Sequence, residues 1–151
     1  MYQVGMKIAA RELAIHLSFG LGVNQQDVDS LLDTLLDKEY YNTLAGEADI
    51  YREFPDDKQL QYIKELVRGI SAHGAELDSY IDKYAKNWRI SRISRVAVAI
   101  MRTAMYEVMY MPDVPDSAAI SEAVELAKKY EDEETVAFIN GILGSFSREE
   151  L

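Results

Sequence analysis

Apolar residues recur at helical spacing along much of the chain, and this pattern constrains the fold more than any other feature of the sequence. In four stretches they recur every three or four residues, as on the buried face of an amphipathic helix. These stretches are Ala10–Leu21, Val28–Leu36, Leu60–Ile70 and Ile120–Ala127. No stretch alternates apolar and polar residues for long enough to predict a sheet. The sequence therefore predicts an all-α fold.

Turn and capping residues between the apolar stretches agree with about seven helices. Pro55-Asp56-Asp57 predicts an acidic cap before one helix, and Gly74 predicts a break between two helical segments. Pro115 cannot continue a helix but favours the start of the next one. Val96–Met101 has the composition of a short strand, but apolar residues continue at helical spacing through Tyr110. We therefore predict a buried central helix there.

The length of 151 residues fits one domain with a sizeable core. We expect a single domain over residues 1–151, built of two small packed helical bundles at about 5–54 and 55–147. The chain has no cysteine, which excludes a disulfide scaffold, a cysteine-ligated zinc site and a cysteine nucleophile. No segment has the roughly 20 apolar residues of a membrane span, and the N-terminus lacks the order of a signal peptide. We expect a cytoplasmic protein with no membrane association.

Nothing in the sequence points to catalysis. His16 and His73 are far apart, and no HExxH or similar metal-ligand spacing occurs. The eight glycines are scattered and form no phosphate-binding loop, and no GxSxG motif is present. We therefore predict no catalytic residue, no metal site and no cofactor, and a binding role in place of an enzymatic one.

Charge is unevenly spread along the chain. The net charge of −10 excludes a uniformly basic nucleic-acid binder but allows a local basic patch. From Lys83 to Arg102 there are six bases and no acid, with Tyr84 and Trp88 among them. Cations interleaved with aromatic rings suit nucleic acid, although a solvated charged face remains the alternative. From Asp27 to Asp57, in contrast, there are ten acids and two bases.

A series of motifs occurs in the C-terminal half of the chain. Its members are Asn87-Trp88, Ser91-Arg92-Ile93, Ala99–Arg102, Asp113-Val114-Pro115, Glu122–Tyr130 (EAVELAKKY) and Phe138–Leu143 (FINGIL). In order and spacing this series resembles the NusB family of transcription antitermination factors. The resemblance is strong over Tyr62–Phe146, weaker at Lys7–Leu17 and not evident across Asn24–Asp57.

The resemblance implies a NusB-like, all-helical fold and a set of binding partners. The implied partners are the ribosomal protein NusE, single-stranded boxA-like RNA and the transcription elongation complex, with a role in ribosomal RNA transcription. Proteins that read single-stranded RNA stack bases on aromatic rings and pair phosphates with Arg or Lys. NusB-like domains also precede RNA methyltransferase domains, but no αβ pattern or glycine-rich cofactor loop supports that function here.

Six residues are candidates for RNA contact: Lys7, Arg11, Arg92, Arg95, Glu134 and Phe138. The resemblance implies roles for four of them. Ala10-Arg11-Glu12 matches the end of the family's arginine-rich start, with Lys7 one helical turn earlier. Phe138 matches an aromatic residue on which a base can stack, and Glu134 falls where the family has an acid near the RNA. Arg92 and Arg95 belong to the basic run and could contact phosphates. As alternatives, Phe138 could be a core residue and the four bases ordinary solvated charges.

Departures from the family pattern support a second hypothesis. Ile8 and Ala9 replace bases of the arginine-rich start, and Ala137 replaces a common lysine. Ala97 stands where an acid often faces the ribosomal partner. These substitutions would suit a NusB-like helical protein–protein adaptor with weak or lost RNA binding. If the protein instead binds boxA-like RNA together with NusE, we expect weak RNA binding by the protein alone and stronger binding in the presence of NusE.

Overall fold

The computed structural model describes residues 10–15, 28–43, 54–86 and 93–150, and within these ranges the chain is helical apart from short turns. No strand occurs in these ranges, so the predicted all-α class is confirmed. They contain eight helices, close to the predicted seven. The helices are residues 10–15 (α1), Val28–Leu35 (α2), Lys38–Thr43 (α3), Asp57–Ala72 (α4), Gly74–Ala85 (α5), Arg95–Tyr110 (α6), Asp116–Tyr130 (α7) and Glu133–Glu150 (α8).

The chain divides into two compact units between Ala72 and His73. We call the unit Gln3–Ala72 the N-terminal unit and the unit that contains the chain from His73 onward the C-terminal unit. The sequence predicts a division near residues 54 and 55, which would assign α4 to the C-terminal half. In the structure α4 belongs to the N-terminal unit, because α2 packs against it.

The N-terminal unit has a core formed by the apolar stripes that the sequence predicted. Its buried residues include Ala10, Leu13, Leu32, Leu36, Tyr62, Ile63, Leu66 and Val67. Leu17 and Leu21, at the end of the first stripe, lie outside the described residues. At the start of α4, the backbone N–H of Gln59 donates to Asp56 Oδ1 at 2.8 Å, and the backbone N–H of Asp56 donates to Gln59 Oε1 at 3.0 Å. This reciprocal capping confirms the predicted acidic cap.

The C-terminal unit is built around α6, which packs against α5, α7 and α8. Ten of its residues are buried, among them Val98, Ile100, Met101 and Met105, which confirms the predicted central helix. The buried positions of α7 are alanines, whose small side chains permit a close approach between helices. Helix α8 contributes Ile139, Ile142, Leu143 and Phe146.

The breaks predicted in the C-terminal unit are also found. Helix α7 begins after Pro115, whose carbonyl oxygen accepts from the Ala119 N–H at 3.0 Å. Helix α5 begins at Gly74, directly after a turn at His73. The His73 ring stacks on Tyr110 with centroids 4.3 Å apart. Therefore one end of α5 is held against the last turn of α6.

A hydrogen bond reinforces this contact between α5 and α6. The Tyr110 hydroxyl donates to Glu76 Oε1 at 2.5 Å, and this bond, with burial, raises the pKa of Tyr110 to about 12. The phenol therefore stays protonated as a donor throughout the neutral range. None of the helices in the described parts of the chain is long and apolar enough to cross a membrane.

Candidate nucleic-acid interface

The ends of three helices meet at a polar junction in the C-terminal unit, formed by Ser94, Glu131 and Asp132. Ser94 caps the N-terminus of α6, where its Oγ accepts from the Ala97 N–H at 3.0 Å. The Ser94 hydroxyl also donates to Glu131 Oε1. Glu131 ends α7, since its N–H donates to the Ala127 carbonyl oxygen at 2.8 Å. The start of α6 is thus tied to the turn that joins α7 and α8.

Asp132 begins the last helix from the same turn. Its Oδ1 accepts from the Thr135 N–H at 2.8 Å, and this bond lowers the pKa of the Asp132 carboxyl. The predicted acidic turn at Glu131–Glu134 is therefore confirmed as a helix start. The acids also lie at the positive end of the α8 dipole, where negative charge is favourable.

Arg95 is the first residue of α6 and lies directly after Ser94. Its side chain is exposed, and none of the acids in the described parts of the chain lies within ion-pair distance of it. Arg95 is a candidate for phosphate contact by its place in the basic run, and in the structure its side chain is exposed. Arg92, predicted together with it, lies outside the described residues.

The bases of the run from Lys83 to Arg102 differ in whether they pair with acids of the chain. Lys83 pairs with Glu150 at 2.6 Å, and both Arg102 Nε and Nη2 lie 2.6 Å from the carboxylate of Asp78. Lys86, at the end of α5, is exposed and has φ 53°. The two ends of the run therefore bind acids of their own chain, and Lys86 and Arg95 are the bases between them that the structure describes.

Glu134 and Phe138 lie one turn apart on the first half of α8. Glu134 is exposed and Phe138 is half-buried, whereas Ile139, Leu143 and Phe146 on the same helix are each 0% exposed. The sequence placed Phe138 off the core stripe of its helix, and its burial agrees with that position. Because residues i and i+4 share a helix face, the carboxylate and the ring lie side by side on α8.

Arg11 has a different environment from Arg95. It is 2% exposed, and its guanidinium carbon lies 6.0 Å from the centroid of the Tyr62 ring. The cation therefore packs in the N-terminal unit against an aromatic face. Lys7, predicted as its partner in RNA contact, lies outside the described residues.

Two departures from the family pattern have different structural settings. Ala97 is 0% exposed, and its N–H is held by the Ser94 cap. Ala137 is exposed on α8, next to Phe138. A side chain at 137 could reach solvent or a ligand, whereas one larger than alanine at 97 would need room in the core.

A group of polar residues that the sequence does not predict joins α5 to the end of α8. Lys83 Nζ and the Tyr84 hydroxyl both donate to Glu150 Oε2, and Lys83 lies 5.2 Å from the Tyr84 ring centroid. The two hydrogen bonds lower the pKa of Glu150, and the bond to Glu150 raises the pKa of Lys83. We call this group the terminal clasp. No sequence signal links residues more than 60 positions apart, so only the fold reveals it.

The residues described by the structure contain no group of three or more His, Asp or Glu side chains arranged to hold a metal ion. His73 is engaged with the Tyr110 ring, and its Nδ1 lies 3.9 Å from Glu76. His16 lies outside the described residues. The helices that begin at the junction carry the exposed cation Arg95 on α6, and the exposed carboxylate Glu134 and the half-buried ring of Phe138 on α8.

Comparisons with known proteins extend over nearly the whole chain. The model of the NusB family matches residues 8–148. That match includes Asn24–Asp57, where the sequence analysis found no family motif. A transcription antitermination protein NusB from Clostridium tetani is 34% identical over 147 residues, covering 93% of this chain and 96% of the relative.

A second relative and a solved structure agree with that match. The transcription antitermination protein NusB from Acetivibrio thermocellus is 37% identical over 136 residues, covering 90% of this chain and 84% of the relative. Among solved structures, T. maritima NusB aligns with a TM-score of 0.70 and 27% identity, covering 99% of this chain and 92% of that one.

Proposed function

Since this chain belongs to the NusB family, we propose that it acts as a transcription antitermination factor that binds boxA-type RNA together with the ribosomal protein NusE. In this role it would join the transcription elongation complex and support transcription of ribosomal RNA. The observation that carries the proposal is the family match over residues 8–148, because the relatives that align along most of the chain are named for antitermination.

The chemistry of the C-terminal unit supports an RNA role. Phe138 offers part of an aromatic face for a base, and such stacking tolerates single-stranded RNA of many sequences. Glu134, one turn away, can accept a hydrogen bond from the edge of that base. Arg95 can neutralise a phosphate, because its guanidinium is accessible on the first turn of α6.

A second candidate function is a protein–protein adaptor with weak or lost RNA binding. The burial of Arg11 favours it, because a cation held in the N-terminal unit is not available to a phosphate without leaving its site. The pairing of Lys83 and Arg102 with acids of the chain reduces the free positive charge further.

A titration of boxA-type RNA, with and without NusE, separates the two functions. We would follow fluorescence anisotropy of a labelled RNA at several salt concentrations, with a scrambled RNA of the same length as control. We expect weak binding by the protein alone and a strong, sequence-dependent gain when NusE is present. The slope of log K against log salt should be shallow, since each phosphate contact to a single strand contributes about −0.7.

Two outcomes would contradict parts of this proposal. NusE binding without any gain in RNA affinity would favour the adaptor. Nanomolar RNA affinity of the isolated protein at physiological salt would mean that the basic run from Lys83 to Arg102 contributes more than its paired ends suggest.

A further inference from the structure

The junction of Ser94, Glu131 and Asp132 joins α6 and α8, the two helices that carry three of the described candidates for RNA contact. Arg95 follows Ser94 on α6, and Glu134 and Phe138 lie on the first half of α8, which begins after Asp132. The side-chain bond from Ser94 to Glu131 spans 37 residues of sequence. It is thus a tertiary link between the start of α6 and the turn that leads into α8.

We propose that the Ser94–Glu131 bond positions Arg95 relative to the first half of α8, so that one RNA strand meets Arg95 and Phe138 together. The inference rests on the proposed function and names Glu131 and Ser94 as positioning residues. Neither is required to touch the RNA.

The hydrogen bonding of Ser94 supports a role in positioning. A hydroxyl has one proton to donate, and that proton goes to Glu131, while the oxygen accepts from the Ala97 N–H at 3.0 Å. One side chain therefore caps α6 and links it to the neighbouring turn. If the link is lost, the cap remains but the direction of the first turn is less constrained.

Both residues of the link are fixed by their backbones to helix ends. The Ser94 carbonyl oxygen accepts from the Val98 N–H at 3.0 Å, and the Glu131 N–H donates to the Ala127 carbonyl oxygen at 2.8 Å. The link therefore joins two rigid elements. Groups supported in this way hold a binding geometry more closely than groups on a loop.

The charge of Glu131 gives the inference a distinctive consequence. A carboxylate near an RNA phosphate disfavours binding through like-charge repulsion, so the charge of Glu131 cannot by itself help binding. A neutral acceptor at the same position would preserve the link to Ser94. We therefore expect the acceptor oxygen of Glu131 to matter and its charge to be dispensable.

The experiment measures boxA-type RNA affinity in the presence of saturating NusE for three variants, at a temperature where thermal melting shows all of them folded. Glu131→Ala removes the acceptor and the charge, and we expect affinity to fall about threefold to tenfold, the range that loss of one hydrogen bond supports. Glu131→Gln keeps an acceptor, and we expect affinity equal to that of the wild type or higher. Glu125→Ala is the control, because it removes an exposed acid from α7, the helix that Glu131 ends, at a site paired with Lys128.

A double-mutant cycle tests whether Glu131 acts through Arg95. We expect Arg95→Ala to weaken RNA binding and to make the salt slope shallower by about 0.7. In that background Glu131→Ala should have little further effect, because the group that it positions is gone. A residue that only stabilised the fold would give additive losses and an unchanged salt slope.

Three results would overturn the inference while leaving the proposed function intact. The first is an RNA affinity of Glu131→Ala that equals or exceeds that of the wild type. The second is an equal loss of RNA affinity in Glu131→Gln and Glu131→Ala. The third is that the losses of RNA affinity in Glu131→Ala and Arg95→Ala add in the double variant. If instead the wild-type protein with NusE does not bind boxA-type RNA, the proposed function fails and the inference fails with it.

Discussion

The two units of the protein differ in how far they bury an arginine predicted to contact RNA. In the N-terminal unit, Arg11 is 2% exposed and lies over the Tyr62 ring. In the C-terminal unit, Arg95 is exposed on the first turn of α6. A count of formal charges along the sequence treats both as available cations. The structure buries Arg11 in the N-terminal unit, whereas the exposed candidates among the described residues, Arg95 and Glu134, lie in the C-terminal unit.

The same distinction separates two phenylalanines on one helix. Phe146 is 0% exposed and packs edge-on against Tyr80, with ring centroids 5.3 Å apart. Phe138, two turns earlier on α8, is half-buried. Phe146 is therefore a core residue, whereas the partly exposed Phe138 is a candidate for ligand contact. The same difference in burial distinguishes Arg11 from Arg95.

Truncation of these two phenylalanines should give the largest effects and separates the two roles. Phe146→Ala should lower the free energy of unfolding by about 3–5 kcal/mol, because a large cavity forms in the core. Phe138→Ala should cost less, since part of the ring is already in water. The same change should weaken binding of boxA-type RNA in the presence of NusE roughly 5- to 150-fold.

Chemical denaturation and RNA titration of both variants provide the measurements. Phe146→Ala, measured where it is folded, serves as the control for RNA binding, and its affinity should stay close to that of the wild type. A loss of stability at Phe138 as large as that at Phe146, with unaltered RNA affinity, would assign Phe138 to the core. That result would remove the aromatic contact from the proposed RNA surface.

The contrast between the two arginines is tested by alanine at each position. Arg11→Ala should lower the free energy of unfolding by about 2–3 kcal/mol, because it removes a buried side chain and a desolvated cation–π contact. For a domain of this size the melting temperature should fall by about 2–4 °C per kcal/mol. Arg95→Ala, at an exposed site, should change stability by about 0.5 kcal/mol or less.

Thermal melts of the two variants check this expectation directly. If Arg11→Ala melts like the wild type while its RNA affinity falls as much as that of Arg95→Ala, Arg11 is an RNA-contact residue in solution. The N-terminal unit would then contribute to the RNA surface on the same terms as the C-terminal unit.

Much of the fold could be predicted because the signals are local. Helical spacing of apolar residues, the Asp56 cap, the break before Gly74 and the start after Pro115 each depend on a few neighbouring residues. The sequence predicts a division near residues 54 and 55, whereas the structure groups α4 with the N-terminal unit. Only tertiary contact with α2 decides this, and no local pattern records it.

The candidate site was less predictable for the same reason. The motifs around Phe138 and Glu134 identified α8, but the link from Ser94 to Glu131 joins residues far apart in sequence. The burial of Arg11 depends on Tyr62 of another helix. The pairing of Lys83 with Glu150 and of Arg102 with Asp78 also depends on tertiary structure, so the sequence analysis counted both as part of one basic run.

The smallest expected effect concerns ion pairs, in which the two units also differ. In the N-terminal unit, Arg68 and Asp29 pair with side chains 50% and 71% exposed, a setting in which such pairs contribute little. In the terminal clasp of the C-terminal unit, the Glu150 side chain is only 18% exposed and accepts from both Lys83 and Tyr84. Replacement of an acid should therefore matter more in the clasp than in the N-terminal pair.

The pH dependence of stability reveals this difference. Hydrogen bonds from Lys83 and Tyr84 hold the pKa of Glu150 below its ordinary value of 4.5. The folded state therefore gains stability from this carboxylate above pH 4.5, and the gain is lost as the pH falls through the lowered pKa. Glu150→Gln should lower the free energy of unfolding near neutral pH and make it fall less steeply in acid. Asp29→Asn should have a much smaller effect on the free energy of unfolding near neutral pH, because its pair is exposed.

Urea denaturation between about pH 3 and 7 measures both variants. Parallel pH profiles for Glu150→Gln and the wild type would mean that the clasp contributes no more than the exposed pair of the N-terminal unit.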